Sequence, residues 1–198
     1  HLAGQVFSGL TRFNGTSSEP TGDLAHHWEI SADGLRWHFY IRSTLHWHNG
    51  DKIETAHLQR SLTALLTLPA LRTLFQSILC IETTHPQCLT FTLYHPDYWL
   101  PHRLATYCSR LAHPDHSTIG SGPFRLVAFE PDLVRLESHE QYHLSHPLLK
   151  AIEYWITPQL FDHRLGTSCR HPVQIAIGEA DELESLRLVS SSTSLGFC

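Results

Sequence analysis

Apolar and polar side chains alternate from Leu35 to Arg42, with Leu35, Trp37, Phe39 and Ile41 on one side and Arg36, His38, Tyr40 and Arg42 on the other. This period of two predicts a half-buried strand, entered from the turn Ser31-Ala32-Asp33-Gly34. A second turn is expected at Asn49-Gly50, after Leu45-His46-Trp47-His48. The period then changes to 3.6, and Leu58, Leu62, Leu65 and Leu66 fall on one face of a helix predicted from Ala56 to Leu66. Thr55 is its expected cap, and Pro69 stands beyond its end. Leu24 to Trp28 reads as one further helical turn, following a loop at Pro20-Thr21-Gly22.

Strands at Ile78–Glu82 and Leu89–Tyr94 are predicted to pair around Thr84-His85-Pro86-Gln87. His95-Pro96-Asp97 leads into a short helix, Tyr98 to Leu104. Gly120-Ser121-Gly122-Pro123 precedes a hairpin of Phe124–Phe129 and Leu133–Ser138 that turns at Glu130-Pro131-Asp132. Ile152–Ile156 reads as a strand and Asp181–Leu188 as a helix, with a serine-rich linker or hinge at Ser190–Ser194. The sum is a mixed α/β fold, rich in antiparallel hairpins with helices between them.

With 198 residues, 41% of them hydrophobic, the chain can build the core of one ordinary domain. Its 14 Lys and Arg against 19 Asp and Glu give a formal charge of -5, a poor complement to a phosphate backbone, so direct DNA or RNA binding by this chain is not expected. Apolar stretches such as Leu62–Leu71 fall short of the ~20 residues a membrane span needs. Residues 1–13 lack the charged start and apolar block of a secretion signal. Five cysteines without C-x-x-C spacing suit free thiols in a reducing compartment, with a cross-hairpin bridge between Cys80 and Cys88 as the alternative. Asn14-Gly15-Thr16 has the form of a glycosylation acceptor. The chain contains no methionine, which leads us to expect a piece of a longer protein.

Histidine is abundant, with 17 residues, and full protonation would carry the charge from -5 to +12. His139-Glu140-Gln141-Tyr142-His143 spells H-E-x-x-H, in which a helix sets two imidazoles on zinc and the glutamate activates water. His146 is a third potential ligand. That motif requires a helix, yet here it follows directly on the strand Leu133–Ser138 and is closed by Pro147, so no metal site is expected and a zinc hydrolase is the lesser reading. His26-His27 point apart on a helix, whereas His46 and His48 share a face at strand spacing and could take a surface metal with a third ligand. G-x-S-x-G, G-x-x-x-x-G-K and G-x-G-x-x-G are all absent. Gly120-Ser121-Gly122-Pro123 is a poor phosphate loop, because Pro123 removes a donor and a strand follows; a tight crossing turn is expected there.

The order of segments resembles the family 5 solute-binding proteins, the peptide- and nickel-binding class. The resemblance is carried by Leu24-Ala25-x-x-Trp28, by Asp33-Gly34-Leu35-x-Trp37-x-Phe39-x-Ile41-Arg42 and by Leu45-His46-Trp47-His48-Asn49-Gly50, and it continues through Gly120-Ser121-Gly122-Pro123-Phe124 to Tyr142 and Pro147-Leu148-Leu149, over roughly residues 1–160. His57 stands where that family commonly has an aspartate. Within the class, His1 to Arg12, Leu24-Ala25-His26-His27-Trp28 and Asp97-Tyr98-Trp99-Leu100-Pro101 resemble the C-terminal domain of SgrR-type bacterial transcriptional regulators.

The resemblance implies a lobe of the periplasmic-binding-protein type, class II, with a mixed sheet and antiparallel hairpins. It implies a first lobe over residues 1–189 and a hinge or linker toward a second lobe over 190–198. It further implies a cytoplasmic, non-enzymatic sensor of a small solute, a sugar phosphate or a peptide-like molecule, needing no cofactor and reaching DNA only through a separate N-terminal domain. A periplasmic component of a peptide or nickel transporter is the alternative on the same fold. The expected ligand contacts are Tyr98 and Trp99 as an aromatic platform and Arg103 as a guanidinium for phosphate or carboxylate, with Ser121 approached closely through its flanking glycines. The competing use of the first three is a capped helix that packs Trp99 into the core.

Overall fold

A computed structural model describes residues 2–15 and 17–156, and the backbone of a strand at 173–176. Thr16, Cys169, Cys198, the expected helix Asp181–Leu188 and the serine-rich hinge at 190–198 lie outside the described residues. The elements run in the order α1 (Leu2–Val6), β1 (Thr11–Phe13), β2 (Pro20–Gly22), β3 (Ala25–Ile30), β4 (Arg36–Ile41), α2 (Thr55–Leu66), β5 (Ile78–His85), β6 (Cys88–Leu93), α3 (Leu100–Leu104), β7 (Phe124–Phe129), β8 (Leu133–Ser138), β9 (Ala151–Ile156) and β10 (Val173–Ala176). Short 3₁₀ turns occupy Pro69–Leu71 and Tyr107–Ser109. Among the described residues no helix is long and apolar enough to cross a membrane.

Every described strand pairing is antiparallel. One four-stranded sheet has the order β3-β4-β6-β5, a second has the order β10-β9-β8-β7, and β1 and β2 form a small ribbon. The alternation read from the sequence sets the register of the first sheet: Trp37 faces Phe91 and Phe39 faces Leu89 across β4 and β6, all buried. Leu58 and Leu62 of α2 pack into the same core, together with Trp47, Leu100 and Leu104. A smaller second core joins Val6 of α1 to Phe124, Val134, Leu136 and Ile152.

Leu24–Trp28 is not a helical turn. Ala25–Ile30 forms β3, with Trp28 opposite Phe39 and their rings 6.1 Å apart, while His27 and Glu29 point to solvent. Two apolar residues four apart satisfy a helix face as well as a sheet edge, and the waiting partner strand decides between them. The preceding loop is likewise a strand, β2, paired with β1.

Thr55 is the first residue of α2 rather than its cap. Glu54 holds the cap position with extended φ of -95° and ψ of 151°, and the His57 ring accepts the Glu54 backbone N–H at 3.4 Å. The Thr55 hydroxyl instead donates to the Pro86 carbonyl, fastening the helix to the β5–β6 turn. Both expected turns end on a glycine in the left-handed region, Gly34 at φ 71° and Gly50 at φ 88°, a conformation without steric cost only for glycine. Cys80 and Cys88 form no bridge: Cys80 lies opposite Thr92 and Cys88 opposite His85, and both are free thiols.

Candidate functional site

Tyr98, Trp99 and Arg103 share one corner of the first sheet, and Asp97 organises it. The buried Asp97 carboxylate accepts from the Ser77 hydroxyl at 2.7 Å and from the Trp99 backbone N–H at 3.1 Å, and it pairs with the Arg103 guanidinium. Its backbone carbonyl accepts the Trp37 indole N–H at 3.1 Å, which ties the corner to the core. These bonds fix a turn before α3, so the helix starts at Leu100 rather than Tyr98. Leu100 and Leu104 then fill the core, and the two aromatic residues ahead of them are left outside.

Trp99 is therefore not a core residue: it is 63% exposed, and Tyr98 is 67% exposed. The Trp99 ring lies 4.5 Å from that of His102, which lies 6.4 Å from the 42%-exposed Phe13 of β1. Trp99, His102 and Phe13 make an aromatic strip bordered by Glu19, whose carboxylate is 3.6 Å from His102 Nε2. The Arg103 charge is matched by Asp97, and a third of its side chain, 33%, remains exposed with donors to spare. Such a surface can stack on an apolar face of a sugar or peptide and donate to an anion at its edge. Phe13 and His102 escaped the sequence reading: His102 stands three residues after Trp99 and was within reach of helical spacing, whereas Phe13 comes beside them only because β1 packs on α3, tied by the Thr11 hydroxyl to the Pro101 carbonyl at 2.7 Å.

Ser121 lies apart from this corner. It is fully buried, its Oγ has no hydrogen-bond partner among the described residues, and its carbonyl accepts from Ser8 Oγ at 3.4 Å. The close approach that its flanking glycines permit is taken up by the chain itself: a Cβ on Gly120 would fall 2.0 Å from Val6 O, and one on Gly122 would fall 2.5 Å from Gln5 O. The expected tight crossing is thus a crossing under the end of α1.

Beside it lies a buried polar node. Asp23 accepts from the Gly9 backbone N–H at 3.0 Å and from Arg110 at 2.8 Å, and His143 Nε2 lies 2.9 Å from its second oxygen. Arg42 donates to the Asp23 carbonyl at 2.8 Å. Burial, with Asp23 as the next cause, pushes the Tyr142 phenol up to about 12.

The H-E-x-x-H segment forms no helix. It runs through bends and turns, His143 is committed to Asp23, and His139 lies with Nδ1 3.1 Å from the Gly122 carbonyl. Among the described residues no group of three or more His, Cys, Asp or Glu is placed to hold a metal. His26 and His27 sit on β3 and stack on Tyr40 at 6.4 Å and 5.8 Å. His46 forms an isolated backbone bridge with Lys52, and His48 turns its ring to the Gly122 carbonyl.

Residues 19–160 match the family described as bacterial extracellular solute-binding proteins, family 5 Middle. The uncharacterized protein YbaE of Escherichia coli K12 is 67% identical over 198 residues, all of this chain and 35% of that protein. The HTH-type transcriptional regulator SgrR of Yersinia enterocolitica is 30% identical over 193 residues, 93% of this chain and 34% of the regulator. Its counterpart in Yersinia pestis is 29% identical over 168 residues, 81% of this chain and 30% of the regulator. Among solved structures, NikA from Brucella suis, in complex with Fe(III)-EDTA, superposes with a TM-score of 0.74 at 21% identity, covering 79% of this chain and 34% of NikA. The binding protein AgaA, in complex with agropinic acid, gives 0.70 at 22% identity, covering 78% of this chain and 34% of AgaA. The chain spans about a third of the length of these curated relatives. By the match over residues 19–160, the chain belongs to the family 5 bacterial extracellular solute-binding proteins.

Proposed function

We propose that this chain is the solute-sensing part of a cytoplasmic bacterial transcriptional regulator of the SgrR type, and that its ligand is a sugar phosphate or another small solute such as a peptide. The observation that carries this reading is the sequence relation to HTH-type regulators over 81–93% of the chain. The family's binding fold and the exposed aromatic corner accord with it. In this reading the chain is not an enzyme and needs no cofactor. DNA is contacted by a separate domain, in keeping with the net charge of -5 here.

Tyr98 and Trp99 form the platform for an apolar ligand face, and the exposed donors of Arg103 meet its phosphate or carboxylate. Ser121 joins only if the end of α1 lifts and frees its Oγ. One lobe gives part of the contacts, and closure against a second lobe converts occupancy into a signal through the difference in affinity between open and closed forms.

The test is a titration of the full-length protein with glucose 6-phosphate and with short peptides, followed by tryptophan fluorescence. Saturable binding of either, weakened at least tenfold in Trp99→Ala and Arg103→Gln, is expected. No response to either solute, or responses that both variants keep, would remove the site. A second reading, delivery of a solute to a transporter from the periplasm, is favoured by the solved structures, one of which is an ABC transporter substrate-binding protein from Sinorhizobium meliloti. Fractionation of cells expressing the full-length protein separates the two, with recovery in the periplasm selecting the second.

A further inference from the structure

Two histidines from opposite halves of the fold converge on one backbone oxygen. His48, between β4 and α2, gives its backbone N–H to Gly120 O at 2.9 Å and sets its ring Nε2 3.1 Å from Gly122 O. His139, directly after β8, gives its backbone N–H to Pro123 O at 2.8 Å and sets its ring Nδ1 3.1 Å from the same Gly122 O. A carbonyl only accepts, so each ring nitrogen facing it must carry the proton. His48 is thereby fixed as the Nε2–H form and His139 as the Nδ1–H form.

The other two ring nitrogens, His48 Nδ1 and His139 Nε2, are buried with no hydrogen-bond partner among the described residues. The rings meet edge to face with centroids 4.8 Å apart. Because both aim an N–H at one oxygen, their lone pairs point away across the rings and do not meet on a shared ion. A proton added to either lone pair would make a buried N–H without an acceptor.

The surroundings offer such a proton no counter-charge. His48 faces His139 and Arg125, and His139 faces His143, His46 and Arg125. The nearby carboxylates are engaged: Glu137 with Arg125 at 2.8 Å, Asp23 with Arg110 and His143, and Asp51 of the His48 loop with Asn49.

We propose that His48 and His139 form an acid-released latch, which joins the two halves of the fold through the Gly122 carbonyl while both rings are neutral and opens when either is protonated. Gly122 lies in the segment between the two cores and the rings reach it from either side, so opening loosens the contact of the β7–β10 sheet with the β3–β6 sheet.

Burial holds His48 well below the ordinary imidazole range, at about 4, and lowers His139 as well. In the open form both titrate near the usual ~6.5. Each histidine therefore raises the opening constant by up to about tenfold per pH unit between ~6.5 and its closed-state value, which for His48 alone amounts to roughly 150-fold at pH ~4.

The test uses the chain labelled with ¹⁵N-histidine. Long-range ¹⁵N–¹H spectra at neutral pH should show the proton on Nε2 of His48 and on Nδ1 of His139, the His48 ring should resist protonation at pH ~5.5, and the His139 ring should titrate below the ordinary imidazole value. Amide-exchange protection at His48, Gly122 and His139, corrected for intrinsic rates, should fall more than tenfold from pH ~7 to ~4.5. In the double variant His48→Gln and His139→Asn, the amide nitrogens stand in for the two donors and cannot titrate, so this fall should shrink to less than threefold. The opposite ring tautomers, rings that titrate near ~6.5, or an equal fall in the double variant would each overturn the latch. If the double variant does not fold, the tautomers and ring titrations of the unaltered chain decide alone.

Discussion

Tyr142 shows how much one residue's chemistry depends on what folds over it. Its phenol lies beside the Asp23 node, and burial followed by the nearby carboxylate pushes it up to about 12. An unfolded tyrosine ionises near ~10. Above that value the unfolded chain gives up a proton that the folded chain keeps. The stabilising effect is complete below pH ~10 and is lost as pH rises toward ~12, by up to about 3 kcal/mol. Titration of tyrosine absorbance should show one late phenol that disappears in Tyr142→Phe, and urea unfolding of that variant should have a shallower alkaline slope. None of this was legible from the sequence, where Tyr142 stood inside an H-E-x-x-H string and among the positions of the family resemblance, because Asp23 is far away in the chain. Tyr98 and Trp99 were legible as residues of interest. Their exposure was not, since it depends on Leu100 and Leu104 claiming the core first.

Elements that are specified locally could be read well. The β7–β8 hairpin has the predicted strands and turn, because its pairing needs only a short loop and its own alternation. The leucine face of α2 also stands, with its cap shifted by one residue. The element that failed, β3, has its alternation broken by a register shift between Ala25 and His27 and takes its conformation from β4, and the three-residue strands β1 and β2 carry too few residues for any period. The contrast between local and tertiary anchoring can be measured on α2. Leu62→Ala empties a fully packed site and should cost between about 2 and 5 kcal/mol in urea unfolding. Thr55→Ala removes only the hydroxyl bond to Pro86 and should cost about 1 kcal/mol, without loss of helix by circular dichroism.

At the scale of the whole chain, two hydrophobic cores meet where the Gly120–Gly122 segment passes under α1. A Cβ on Gly122 would fall 2.5 Å from Gln5 O and 2.6 Å from Val6 C, both backbone atoms that cannot turn aside as a side chain would. Gly122→Ala should therefore destabilise the chain by about 3 kcal/mol and release α1, seen as faster amide exchange over residues 3–7. The family was legible at this scale because the order of segments survives in the sequence. The seam was not, because its partners at Gln5 and Val6 lie at the opposite end of the chain.

The shared oxygen of Gly122 also decides how substitutions combine. An acceptor with two donors stays satisfied when one is removed, so its desolvation cost falls due only when both His48 and His139 are gone. As far as this bond pair is concerned, each single deletion is buffered by the other and the double deletion is worse than their sum. In a survey of single substitutions the loss of this bond would leave no mark at either histidine, and the joint between the two cores would emerge as epistasis between them.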